Sequence, residues 1–119
     1  MLKNFKVTGL EDKCEFRPVS CHLYVIVDFV VPDAIKRQAQ SFESRKKDYN
    51  NKCFGVYVTF DLKDLDKAHD VRPFIDNLVY IDSNGCDNYI DYKFTKEEKN
   101  IIANEIIMYL FNTIAELDS

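Results

Sequence analysis

Hydrophobic and polar positions alternate most regularly over His22-Leu23-Tyr24-Val25-Ile26-Val27-Asp28-Phe29-Val30-Val31. Leu23, Val25, Val27, Phe29 and Val31 form one face of a strand, and Tyr24, Ile26, Asp28 and Val30 form the other. Both faces are largely apolar, which predicts a central strand covered on both sides and ended by Pro32. Cys53 to Asp61 repeats the pattern. Phe54, Val56, Val58 and Phe60 mark its buried face, and Gly55, Tyr57, Thr59 and Asp61 a partly polar one. Upstream, Phe5-Lys6-Val7 and Cys14-Glu15-Phe16-Arg17 flank Gly9-Leu10-Glu11-Asp12, which predicts a hairpin turning at the glycine. Downstream, Leu78-Val79-Tyr80-Ile81 and Tyr89-Ile90-Asp91-Tyr92-Lys93-Phe94 flank a loop containing Asn84-Gly85, a strong hairpin signal.

Helical spacing occurs twice. Over residues 33–49, Ile35, Ala39 and Phe42 recur at i, i+4 and i+7, with Lys36, Arg37, Arg45 and Lys46 free to face water. The second helix opens on a capping box, Thr95-Lys96-Glu97-Glu98, and continues with Ile102, Ile106, Tyr109, Leu110, Ile114 and Leu117 on one face. Ile101, Ile107 and Phe111 broaden that face, leaving room for dimerisation or partner docking beside the core. Between residues 64 and 77 lies an Asp-rich connection with a turn or two of helix, interrupted by Pro73. The order of elements predicts a single α+β domain over residues 1–119. Its sheet, mixed or mostly antiparallel, has about five or six strands, with a long C-terminal amphipathic helix and one or two shorter helices.

Composition changes this picture little. With 46% apolar and 30% charged residues and only three Gly and three Pro, the chain reads as folded throughout. No apolar run is long enough for a membrane span, and the N-terminus leads into no signal-like stretch, so a cytoplasmic setting is expected, or the virion or host cytoplasm for a phage-derived chain. Cys14, Cys21, Cys53 and Cys86 are then expected as reduced thiols. Phe, Tyr, Met, Ile, Asn and Lys total 49 residues against 15 for Gly, Ala, Arg and Pro, the mark of an AT-rich coding sequence such as those of many phages.

Charge is unevenly placed within a net of −4. Residues 61–91 hold eight aspartates and three basic groups; residues 32–52 hold six basic groups and three acids. The first segment offers an acidic surface, Asp61, Asp64, Asp66, Asp70 and Asp76, able to occupy a basic groove on a protein partner. The second offers Lys36, Arg37, Arg45, Lys46 and Lys47, with Tyr49 as a stacking ring, to nucleic acid.

Catalytic signals are sparse. Pro32-Asp33 followed by Asp61-Leu62-Lys63 resembles the Pro-Asp…(Asp/Glu)-x-Lys pattern of a large nuclease class, in which two carboxylates hold Mg²⁺ and a lysine positions water. Here, however, Asp33 follows a strand rather than opening one. Asp82-Ser83-Asn84-Gly85-Cys86-Asp87 has Gly at the wrong place for a calcium loop and reads as a turn. The cysteine and histidine spacings form no zinc pairs, and the serines lie in no nucleophile elbow. The sequence therefore favours a non-catalytic accessory protein with no cofactor or metal, acting by partner binding. Nucleic-acid binding is the alternative, and a Mg²⁺-dependent nuclease a more distant one.

Overall fold

The computed structural model describes residues 1–12, 20–61 and 74–117. In chain order these form β1 (Lys6–Asp12), β2 (Ser20–Asp28), α1 (Asp33–Ser41), a 3-10 turn (Lys46–Asp48), β3 (Phe54–Asp61), β4 (Phe74–Ile75), β5 (Val79–Ile81), β6 (Asp87–Tyr89) and α2 (Lys96–Leu117). The strands make one six-stranded sheet in the order β1-β2-β3-β5-β6, with β4 also on β3, and each pairing is antiparallel. β4 and β5 share one edge of β3, joined where the Asp76 amide donates to the Tyr57 carbonyl at 3.1 Å. The architecture is the expected α+β class.

Period-two alternation sorts β2 and β3 as their sequences require. Leu23, Val25 and Val27 pair across Val58, Val56 and their neighbours, and with Phe54 all are at most 1% exposed. Ile35 and Ala39 of α1 and Ile102 and Ile106 of α2 pack into the same cluster, so both helices cover one sheet face. Burial of these side chains contributes roughly 1.5–3 kcal/mol each for the larger aliphatics. On the opposite face of β2, expected to be covered as well, Tyr24 is buried while Ile26 and Asp28 are half-buried. The Tyr24 ring lies across Gly55 and packs against Tyr57, with centroids 4.9 Å apart. Tyr24 is thereby 4% exposed, and Val79, on the same face by register, is fully buried.

The strand expected over residues 89–94 is instead β6 at Asp87–Tyr89, where Val79 pairs with Tyr89 and Ile81 with Asp87. Two further expectations fail for identifiable reasons. Gly9 does not turn the chain. It sits in β1 opposite Ile26, next to a bulge between Val7 and Gly9, so the predicted turn residues continue the strand. The companion strand at Cys14–Arg17 lies outside the described residues. The first helix ends at Ser41 rather than near Tyr49, because Glu43 is pulled out of helical register. Its Oε1 accepts from Tyr80 Oη at 2.7 Å and its Oε2 from Ser83 Oγ at 2.7 Å.

α2 starts where the capping box places it. The Glu98 amide donates to Thr95 Oγ1 at 3.2 Å and the Thr95 amide donates to Glu98 Oε1 at 2.8 Å. The same carboxylate does more than cap. It is fully buried and also accepts from Tyr92 Oη at 2.6 Å and from the Leu2 amide at 3.0 Å, which ties the N-terminus to the helix. Burial alone raises the Glu98 carboxyl pKa, but the hydrogen bonds from Thr95, Tyr92 and Leu2 outweigh it and hold the group below its ordinary value. Glu43 is likewise lowered, by Ser83 and then Tyr80, against the opposing effect of burial.

Two measurements follow from this packing. A methyl group at Gly55 would meet Tyr24 ring atoms at 2.2 Å, so Gly55→Ala forces the ring off the sheet. The expected loss is about 1–3 kcal/mol in urea denaturation, and an unchanged midpoint would show that the ring moves freely. Glu98→Gln should lower stability at pH 7 by about 1–3 kcal/mol. Because the folded carboxyls are depressed, their contribution is complete above the unfolded value of about 4.3 and is lost as pH falls through the folded values. The wild-type stability should therefore fall on acidification, with a shallower slope for Glu98→Gln; identical slopes would remove Glu98 from that account.

Candidate functional site

A cleft of about 770 Å³ lies at the end of the sheet where β2 finishes. Three lysines line it from separate parts of the chain: Lys6 on β1, Lys36 on α1 and Lys52 before β3. Pairing of Lys6 with Asp28 in the β1–β2 register brings the first to the rim. Asp28, the one carboxylate that the described residues place in the lining, accepts from Lys52 Nζ at 3.1 Å. Lys36 Nζ stands 5.9 Å from the centre of the Tyr49 ring, within cation–π range. Asn4, Asn50 and Asn51 add side-chain amides, and Val30 and Val31 an apolar wall.

Each wall of the cleft is anchored by one of the buried glutamates. On one side, Glu98 holds Leu2, and buried Phe5 stacks on Phe29, so Asn4 and Lys6 rest on fixed neighbours. Asn4 adopts φ 57°, a left-handed conformation that Asn tolerates better than most residues. On the other side, Tyr80 Oη accepts from the Asn50 amide at 3.2 Å while donating to Glu43. Tyr49 stacks on Tyr80 at 5.9 Å, and its hydroxyl is buried with no hydrogen-bond partner among the described residues. Burial pushes that hydroxyl's pKa up.

A second surface lies on the face of the sheet opposite α1 and α2. Phe74 and Tyr89 are 68% and 56% exposed there, the largest exposed aromatics among the described residues. Tyr89 Oη donates to Asp76 at 3.3 Å, and Tyr57 Oη donates to Asp87 at 2.5 Å. Burial first, and then the bond to Asp87, push the Tyr57 hydroxyl up to about 12. The result is an aromatic corner edged by two carboxylates.

These two surfaces redistribute the residues singled out from sequence. Of the acidic set, Asp76 joins the corner. Asp61 closes β3 opposite Ser20, and Asp64, Asp66 and Asp70 lie outside the described residues. Asp87 was not singled out; its role depends on the pairing of β5 with β6. Of the basic set, Lys36 and Tyr49 reach the cleft. Arg37 Nε donates to the Asp33 carbonyl at 3.4 Å, while Arg45, Lys46 and Lys47 are exposed on the 3-10 turn, outside the cleft lining. Lys6 and Asn4, some thirty residues from Lys36, carry no sequence signal for this role.

The nuclease-like pattern does not assemble around Asp33 and Asp61. Asp61 faces Ser20 at one end of β2, and Asp33 follows the other end after Asp28. Eight residues of strand separate those ends, roughly 26 Å, far more than a shared cation spans. Lys63 lies outside the described residues. The Asp82 carboxylate accepts from the Asn84 and Cys86 amides at 2.9 and 3.0 Å, and Gly85 takes φ 79°, so the calcium-like segment is a closed turn. Among the described residues no group of three potential metal ligands converges, Cys53 and Cys86 are free thiols, and no helix is long and apolar enough to cross a membrane.

The orphan Tyr49 hydroxyl gives a direct test of the cleft wall. Tyr49→Phe removes an unsatisfied buried group and keeps the stacking, so stability should stay level or rise by up to about 1 kcal/mol in thermal denaturation. A loss larger than that would mean the hydroxyl has a partner in solution. No family profile, curated protein or solved structure matches this chain, so its function is read from these surfaces alone.

Proposed function

We propose that this protein is a non-catalytic binding module that docks a basic segment of a protein partner on the aromatic, acidic corner of its sheet. The observation that supports this reading is the exposure of Phe74 and Tyr89 beside the carboxylates of Asp76 and Asp87. An aromatic face and a carboxylate are complementary to the two properties of a lysine or arginine side chain, its charge and its apolar stem. Tyrosines fixed by hydrogen bonds to the carboxylates lose little conformational freedom on binding. Free Cys53 and exposed, free Cys86 fit a reducing, cytoplasmic setting.

Fluorescence anisotropy with a labelled Lys/Arg-rich peptide tests the reading. Asp76→Asn combined with Asp87→Asn should weaken binding about tenfold or more, as should Phe74→Ala with Tyr89→Ala. Asn can still accept from the tyrosines, so the first pair should leave the fold intact by circular dichroism. Equal affinity for wild type and both double variants would sink the proposal.

A further inference from the structure

We infer that the cleft between Asn4 and Lys52 is a binding site for a phosphate monoester, distinct from the protein-docking corner. Among the described residues its lining holds three lysines and one aspartate, a local excess of two positive charges in a chain whose net charge is −4. A phosphate monoester carries about two negative charges near neutral pH, so the two balance. None of the lining residues is shared with Phe74, Asp76, Asp87 or Tyr89.

The cleft has the features that distinguish a site from a chance group of lysines. Its volume of about 770 Å³ is within the range of small-molecule pockets. Its cations come from three elements held apart by the sheet and α1, so their convergence is fixed by the fold and not by local sequence. Both walls are anchored in the core, through Glu98 and Leu2 on one side and through Glu43, Tyr80 and Asn50 on the other. Lys36 is placed over the Tyr49 ring, and Lys52 is oriented by Asp28. The asparagine amides supply neutral donors for phosphate oxygens, and Val30, half exposed, with Val31 offers an apolar wall to whatever the phosphate is attached to. Two anchored walls, an apolar patch and a dianion-sized charge excess together describe a small organic phosphate better than an extended polyanion. The exposed Arg45, Lys46 and Lys47 that a nucleic-acid strand would need lie outside the lining.

Titration calorimetry with inorganic phosphate, ribose 5-phosphate, adenosine 5′-monophosphate and adenosine separates the sources of affinity. The phosphorylated probes should bind and adenosine should not. Binding of all three would place the recognition in the phosphate, and a preference for the organic phosphates would add the apolar wall. Lys6→Gln with Lys36→Gln should weaken binding about tenfold or more, while Lys93→Gln, an exposed lysine elsewhere, should not. Asp28→Asn removes the one carboxylate that the described residues place in the lining and should tighten binding. Three results would overturn the assignment: no binding of any phosphorylated probe, equal binding by the double lysine variant, or no tightening by Asp28→Asn. Length-dependent binding of oligonucleotides in place of the monoesters would do the same and return the basic segment to nucleic-acid recognition. Peptide binding at the docking corner should survive the lysine substitutions, so failure of one proposal leaves the other standing.

Discussion

Two buried carboxylates fix the geometry on which everything else in this protein rests. Glu98 and Glu43 lie within the fold, and a carboxylate taken from water is strongly destabilising unless its oxygens are satisfied. Each is satisfied by donors from distant parts of the chain. Glu98 gathers Leu2, Tyr92 and Thr95, and Glu43 gathers Tyr80 and both donors of Ser83. Buried ionic groups of this kind add little net stability over an apolar packing of the same shape, but they leave few alternative arrangements. Their contribution is positional: the N-terminus must meet α2, and the β5–β6 hairpin must meet the end of α1.

The sheet uses its two faces differently. Aliphatic residues on one face meet both helices and make the core. On the other, tyrosines lie along the surface, and Tyr24 covers Gly55 much as an aromatic ring covers a glycine in designed sheets. Val79, on the same face, is fully buried. This arrangement leaves polar tips at the surface, so a sheet face that would otherwise invite nonspecific association presents hydroxyls and carboxylates. Among the described residues, Phe74 and Tyr89 are the aromatics of this face most open to solvent.

What could be read from sequence was local, and what could not was set by distant partners. The capping box at Thr95 and Glu98 and the Asn84-Gly85 turn each involve residues within a few positions, so their chemistry is complete in a short window. The strand alternation of residues 22–31 and 53–61 likewise needs only a period. By contrast, α1 is cut short by a glutamate whose partners lie about forty residues on. Gly9 looks like a turn because a bulge and a turn use the same residue. The two apolar faces of β2 suggested two layers, since pattern alone does not distinguish burial by a helix from burial by a neighbouring tyrosine. The cleft was invisible for the same reason: Lys6, Lys36 and Lys52 meet only through the β1–β2 register and the docking of α1.

The average charge of the chain conceals a separation that the fold produces. The cleft collects lysines from three segments, whereas the corner collects Asp76 and Asp87 on the tyrosine-covered face of the sheet. Glu43 stands between these surfaces structurally. Through Tyr80 it fixes Asn50 in the cleft wall, and through Ser83 it fixes the loop of the hairpin whose second strand begins at Asp87. Within that loop, Asp82 holds Asn84, Cys86 and Asn88, so the hairpin transmits position rather than absorbing it. Glu43 and its partners Tyr80 and Ser83 thus hold the wall of the cleft and the loop of the hairpin to one common point of the fold.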